Sequence, residues 1–241
     1  SFSLINKNDY KNLENIFKKC NLRINKIILK SFIKGVNLMN SKKNIETFFR
    51  IEISKNSSKL IFFENSALKF SQDFNFGSDI IVQDINKVLS LKNEIIYKFF
   101  EENILTRKFN DKDYLEKKYF EGENFRKIKK KMIYDIVSAR MQEVSEIILF
   151  KNINILSLIK KNTRIFFSIK DEIILSSAKE ILENSFSQNK ALLLEFLINE
   201  NSQNFFHSTM KTVHFGWKKE AVPIVQTKKS IIARFFDLIF G

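Results

Sequence analysis

Cysteine, proline and glycine are all scarce in this chain: one, one and five among 241 residues. The single cysteine, Cys20, excludes an internal disulfide and any zinc site built on paired cysteines. That usage fits a reducing, cytosolic compartment. Cys20 closes a helical pattern and is expected to be a small buried residue. Histidine is equally sparse. His207 and His214 stand near Trp217 with no carboxylate or cysteine at metal-ligand spacing, so a structural or surface role is expected and no metal site. No Ser–His–Asp or Cys–His arrangement stands out, which leaves no catalytic constellation to build on. No apolar run approaches the roughly 20 residues that cross a bilayer. No signal peptide is visible, and neither is an internal repeat.

Acidic residues are outnumbered, 27 against 41 Lys and Arg, for a formal net charge of +14. Lys, Asn, Ile and Phe are abundant, with 26 Phe. That is the pattern of an AT-rich genome, which accounts for most of the charge. The basic residues are scattered, and only Lys127, Lys129, Lys130 and Lys131 form a dense block. Aromatic–basic nucleic-acid motifs are absent, so a nucleic-acid partner would rest on net charge alone and none is expected. A hydrophobic share of 44% marks a globular chain, long enough for one large domain or two small ones.

Residues 2–5 read as a short strand, so the chain is expected to be a fragment that lacks upstream sequence. Asn8 or Asp9 can cap a helix to Cys20, with Leu13, Ile16 and Phe17 on one face. Residues 24–30 read as a strand and 31–39 as a helix, an α/β alternation. Residues 47–53, 59–63 and 67–74 read as three consecutive strands joined at Asn56-Ser57-Ser58 and Glu64-Asn65-Ser66. Helices are expected over 78–89 and 92–102. Residues 103–125 are polar and irregular, with one or two edge strands. A long helix is expected over 125–150, with Ile133, Ile136, Val137, Arg140, Val144, Ile147 and Ile148 on its inner side. A strand over 164–169 and a helix over 172–186 follow. Residues 189–204 are mixed, and Pro223 lies in a linker.

The carboxyl-terminal residues 228–241 are the most informative. At about 100° per residue, Ile231, Ile232, Phe235, Phe236, Leu238, Ile239 and Phe240 share one broad arc. Ser230, Arg234 and Asp237 fall opposite, and Lys228 and Lys229 stand at the N-terminal edge. Bulky apolar residues ringed by basic ones describe a helix lying in a membrane surface. The alternative is a terminal helix docked on the protein's own core.

These segments, in this order, resemble the C-terminal part of the bacterial cell-division protein FtsA family, which is actin-like. Residues 12–24 are similar to that family's helix, turn and following strand. Residues 52–68 lie without gaps on its phosphate-binding hairpin, Ser66-Ala67-Leu68 most clearly. Residues 74–85 parallel its next motif, with Gly77 and Asp84-Ile85 retained. Residues 136–148, with Ser138-Ala139-Arg140 and Glu143, are similar to its Ala-Arg helix. The basic, aromatic tail matches its membrane-targeting sequence.

The resemblance implies an α/β, actin-like (ribonuclease H-like) fold, incomplete at the N-terminus, with the first phosphate loop upstream. Residues 1–46 would end a first subdomain. Residues 47–215 would form the second half, with a smaller inserted subdomain about 103–160. Residues 216–229 would be a linker and 230–241 the amphipathic helix. On the nucleotide hairpin the family's acidic position is Glu52. Its three glycine positions are Ser54, Lys55 and Asn56, Ser57 can supply a hydroxyl, and the second acidic position is Lys59. The adenosine-side helix falls on Tyr97 and Phe100, and the second glycine loop falls on residues 165–169. With these glycines gone, close approach of backbone to phosphate would cost strain at several positions. A vestigial site without ATP turnover is expected. A site rebuilt around Lys55 and Lys59, holding ATP and magnesium, is the alternative. The implied partners are the C-terminal peptide of FtsZ, further copies in a filament, and the anionic inner membrane at its cytoplasmic face. Lys129, Lys130, Lys131, Arg140 and Glu143 are the implied peptide contacts. A solvated charged face, with an Arg140–Glu143 pair one turn apart, is the plain alternative.

Overall fold

The computed structural model describes residues 6–42, 44–105, 108–122, 124–160, 162–186, 192–197 and 202–216. The expected strand over 2–5, the linker beyond Gly216 and the whole tail helix lie outside the described residues.

Five strands form one mixed sheet in the order β3-β2-β1-β4-β5. β1 (Phe48–Ile53), β2 (Ser58–Glu64) and β3 (Ala67–Phe74) make an antiparallel meander. β4 (Thr163–Ile169) runs parallel to β1, and β5 (Leu192–Phe196) runs parallel to β4. All six residues of β1 are buried, as befits a central strand covered on both faces. Among the described residues the α-helices are α1 (Lys7–Lys19), α2 (Lys30–Ser41), α3 (Asp79–Leu89), α4 (Asn93–Glu102), α5 (Lys130–Ser145), α6 (Glu172–Phe186) and α7 (Ser202–Phe215).

The strand period of two divides the core. Phe49, Ile51, Leu60, Phe62, Ile165 and Phe167 meet α3, α4, α5 and α6 on one face. Phe48, Ile61, Phe63 and Phe166 meet α2 on the other, where Phe205 of α7 also packs. There the Phe48 and Phe63 rings stack at 5.1 Å. Gly35 lets α2 approach, since a Cβ on it would sit 2.1 Å from the Phe63 ring.

Three expectations change in this first part of the chain. Residues 24–29 form no strand, because no neighbour among the described residues runs alongside to share backbone hydrogen bonds. Asn6, two or three residues earlier than expected, caps α1 by accepting from the Asn8 amide at 2.9 Å. The expected face of Leu13, Ile16 and Phe17 is present; it points outward together with Tyr10, and no residue of α1 is buried. Cys20, past its end, is exposed rather than buried.

The long central helix begins at Lys130, not near 125. Backbone that would have joined it is spent elsewhere: Leu115 N–H donates to the Ile128 carbonyl, and Lys130 N–H to that of Asp113, both at 2.8 Å. In place of edge strands, the described residues of 103–129 hold the isolated bridge Tyr114–Lys129 and a 3-10 turn at Lys117–Phe120. α5 ends in a π turn, Glu146–Phe150. The wider turn rotates the register, so Ile148 and Leu149 are buried while Ile147 is exposed. Leu105, Leu115, Tyr119, Phe120 and Ile128 from this region share one core with α3, α4 and α6.

Candidate functional site at the β1–β2 hairpin

The carboxyl ends of parallel β1 and β4 mark the place where open α/β sheets hold ligands. Here they open on a cavity of about 160 Å³ lined by Lys30, Lys34, Glu52, Ser54, Ser57, Lys59 and Lys170, among others. α2 supplies Lys30, Ser31 and Lys34 from one side. The hairpin supplies Glu52, Ser54, Ser57, Ser58 and Lys59, β3 supplies Asp73, and Lys170 follows the end of β4.

Glu52 is committed to ion pairs. Its Oε1 accepts from Arg50 Nε at 2.6 Å, and its Oε2 accepts from Lys34 Nζ. Arg50 is fully buried and Glu52 nearly so. Residues two apart on a strand share a face, which brings Arg50 and Glu52 together under α2. Burial alone would raise the Glu52 carboxyl. The Arg50 and Lys34 charges and hydrogen bonds outweigh it and hold the carboxyl below the ordinary range. The carboxylate is thus a structural anion between two cations.

Lys59, directly opposite Glu52 in the ladder, pairs with Asp73 of β3 at 3.0 Å. The turn closes with the Ser54 amide donating to Ser57 O at 2.8 Å. Its carbonyls then serve a helix. Ser78 N–H donates to Ser54 O at 2.9 Å and Asp79 N–H to Lys55 O at 3.0 Å, so the hairpin backbone caps the start of α3. Gly77 makes this approach feasible: a Cβ there would lie 2.1 Å from Ser54 O and 2.4 Å from Lys55 O. Gly77 therefore serves packing of the hairpin against α3.

The second loop is closed as well. Lys170 N–H donates to Ile53 O at 3.0 Å, tying the end of β4 to β1. Asp171 accepts from Ile174 N–H at 3.2 Å and from the Ser78 hydroxyl at 3.2 Å. One carboxylate thus caps α6 and reaches the start of α3. Phe100 is buried in the core, and Tyr97 packs against its margin. Burial raises the Tyr97 hydroxyl, and the Asp171 and Asp79 carboxylates add to the shift.

These residues do not fit ATP and magnesium. The hairpin acid is neutralised by two protein cations. Lys59, across the ladder from Glu52, is a cation already paired with Asp73. The helix start that could meet an anion already holds Asp171.

The remaining candidates sit apart. Lys129 Nζ lies 3.2 Å from Asp111 Oδ1, Lys130 Nζ lies 3.2 Å from Asn103 Oδ1, and Lys131 is exposed. Arg140 and Glu143 stand roughly 15 Å further along α5. Arg140 pairs with Asp84 through Nε, and with Glu143 at 2.5 Å through Nη1. The Arg140–Glu143 pair one turn apart is therefore present, and its second partner, Asp84, ties α5 to α3. His207 and His214 are exposed on α7. No three His, Cys, Asp or Glu side chains among the described residues gather as a metal site. Lys228, Lys229, Arg234 and the tail's apolar arc lie outside the described residues. The sequence reading missed Lys34, Arg50 and Asp171. Only the Arg50-x-Glu52 alternation, on an otherwise apolar strand, was there to be noticed.

Among solved structures, MreB 5 of Spiroplasma citri bound to AMPPNP matches over 87% of this chain and 65% of its own length, at TM-score 0.56 and 12% identity. The fold is actin-like. The ADP-bound form of the same protein matches at the same TM-score, 0.56, over 66% of its length. The ethanolamine utilization protein EutJ from Carboxydothermus hydrogenoformans matches over 80% of this chain and 57% of its own, at TM-score 0.47 and 8% identity. This chain therefore spans less than two thirds of the length of each of these actin-like or similar structures. No protein-family model and no curated protein matches the sequence.

Proposed function

We propose that this chain is an FtsA-like tether that holds a division filament on the membrane without turning over ATP. The observation that carries the reading is Glu52, locked between Arg50 and Lys34 at the position where an actin-like ATPase needs a free acid. An actin-like body that has given its phosphate hairpin to its own packing keeps a scaffold role. The tail gives that scaffold a place. Insertion of Ile231, Ile232, Phe235, Phe236 and Ile239 supplies roughly 1.5–3 kcal/mol per fully buried side chain, and less at an interface. Lys228, Lys229 and Arg234 near anionic lipid add about 1 kcal/mol each at most. One such helix is a reversible anchor, and a filament of many copies binds far more tightly through avidity.

In this reading the body binds the C-terminal peptide of FtsZ and self-associates, and the assembly sits on the cytoplasmic face of the inner membrane. Lys129, Lys130, Lys131, Arg140 and Glu143 are the peptide contacts to test. Flotation with anionic liposomes tests the anchor: the full chain floats, and a chain ending at Thr227 stays in solution. Equal flotation of the two would sink the proposal.

A second reading, an ATP-binding actin-like protein, is favoured by one observation. The lysine-lined cavity lies at the carboxyl ends of β1 and β4, in a fold whose MreB 5 match is bound to AMPPNP and ADP. Saturable binding of a fluorescent ATP analogue, lost in Lys55→Ala or Lys59→Ala, would favour it. The tether reading expects no saturation.

A further inference from the structure

α7 carries a second face that its packing leaves uncovered. One side is spent on the body: Phe205 joins the α2 cluster, and the Ser208 hydroxyl donates to Asn37 Oδ1 at 3.0 Å. Another side presents Phe206, 67% exposed, with Met210 at 42% and Val213 at 40%. Their i, i+4, i+7 spacing makes one apolar stripe along the helix. The pattern is that of a helix with a partner on two sides, of which the described residues supply one.

We propose that this stripe is the docking site of the chain's own C-terminal segment, residues 230–241. The segment repeats the stripe's spacing twice, as Ile231, Phe235 and Leu238 and as Ile232, Phe236 and Ile239. Two such ridges pack side by side as neighbouring helices do. The lengths match as well. α7 has 14 residues, or about 21 Å, and a helix over 230–241 would be about 18 Å.

The connection permits the return. Gly216, at φ +70°, donates to Thr212 O at 3.0 Å and turns the chain out of the α7 axis. Residues 216–229 could then span roughly 45 Å when extended, more than twice the length of α7. A segment tethered so closely meets the stripe at an effective concentration on the order of millimolar. A second copy must pay the full cost of association for the same contact.

Docking alone needs no membrane. Its consequence rests on the tether reading: the same apolar arc cannot face α7 and lipid together, so α7 competes with the bilayer for the tail. If the tail is docked about nine-tenths of the time, releasing it raises vesicle affinity roughly tenfold.

The test is hydrogen exchange over 230–241 in the full-length chain without vesicles, compared with Phe206→Asp/Met210→Asp. Both side chains are exposed, so the fold should survive, and Val213→Lys is a second variant should it not. Slow exchange in the parent that becomes fast in the variant, at all protein concentrations, is the expected result. The emission of Trp217, the only tryptophan, should shift with it. Fast exchange in both overturns docking, and protection that fades on dilution overturns the intrachain assignment. Binding to vesicles of mixed phosphatidylcholine and phosphatidylglycerol is then measured separately. Exchange that responds to the variant while neither protein binds vesicles leaves docking standing and removes the membrane reading instead.

Discussion

Glu52→Gln is the sharpest probe of how the hairpin is used. The side chain is nearly isosteric, so packing under α2 changes little. Two things are lost. The charge that compensates Arg50 and Lys34 disappears in a buried site. One carboxylate oxygen also becomes an NH2 group that must face a donor. Removing one partner from a buried ion pair costs about 3–5 kcal/mol, because the remaining charge stays desolvated. In a chain of this size each 1 kcal/mol moves the melting temperature by roughly 2–4 °C, so a drop of about 6–20 °C is expected.

Thermal and urea unfolding of parent and variant measure it, and the pH dependence supplies a second check. The folded Glu52 carboxyl lies below its ordinary value of 4.5. Its contribution is therefore complete above that value and is lost as pH falls through the lower folded one. The parent should lose stability in that acid window, and Glu52→Gln should lose less. The refuting outcome is a variant as stable as the parent or more so. That would mean Glu52 is a strained functional acid, whose removal relieves the fold.

Gly77→Ala should destabilise by about 1–3 kcal/mol, since the new methyl would collide with the Ser54 and Lys55 carbonyls; calorimetry measures it. Asp171→Ala should cost about 0.5–2 kcal/mol through the lost α6 cap, and Asp171→Asn should keep most of it, both read by urea unfolding. Arg140→Ala should cost about 1 kcal/mol by parting α5 from α3, with Asp84→Asn nearly non-additive in a double-mutant cycle.

Much of the fold could be read in advance because its signals are local. The three-strand meander shows as alternation broken at Asn56-Ser57-Ser58 and Glu64-Asn65-Ser66, and each strand lies within a residue or so of its expected place. Helix α6 matches its expected bounds, 172–186, because its apolar residues recur at helical spacing. Where backbone partners come from afar, the reading failed. Residues 125–129 look helical alone but bond to 113–115. Residues 24–29 look like a strand but meet no ladder. The pattern of α7 was not read because its apolar residues fall on two faces, one packed and one bare.

The sequence by itself determined that no glycine stands among Ser54, Lys55, Asn56 and Ser57, and that an apolar arc flanked by basic residues ends the chain. Both are matters of residue identity and spacing along one segment. Only the tertiary structure decided what Glu52 does. Its neutralisation depends on Lys34, eighteen residues away on a helix that crosses the face of β1. The same holds for Asp171 beside Ser78, ninety-three residues apart. Electrostatic balance in a buried site is set by whichever charges the fold brings within a few ångströms, and sequence separation carries no record of that distance.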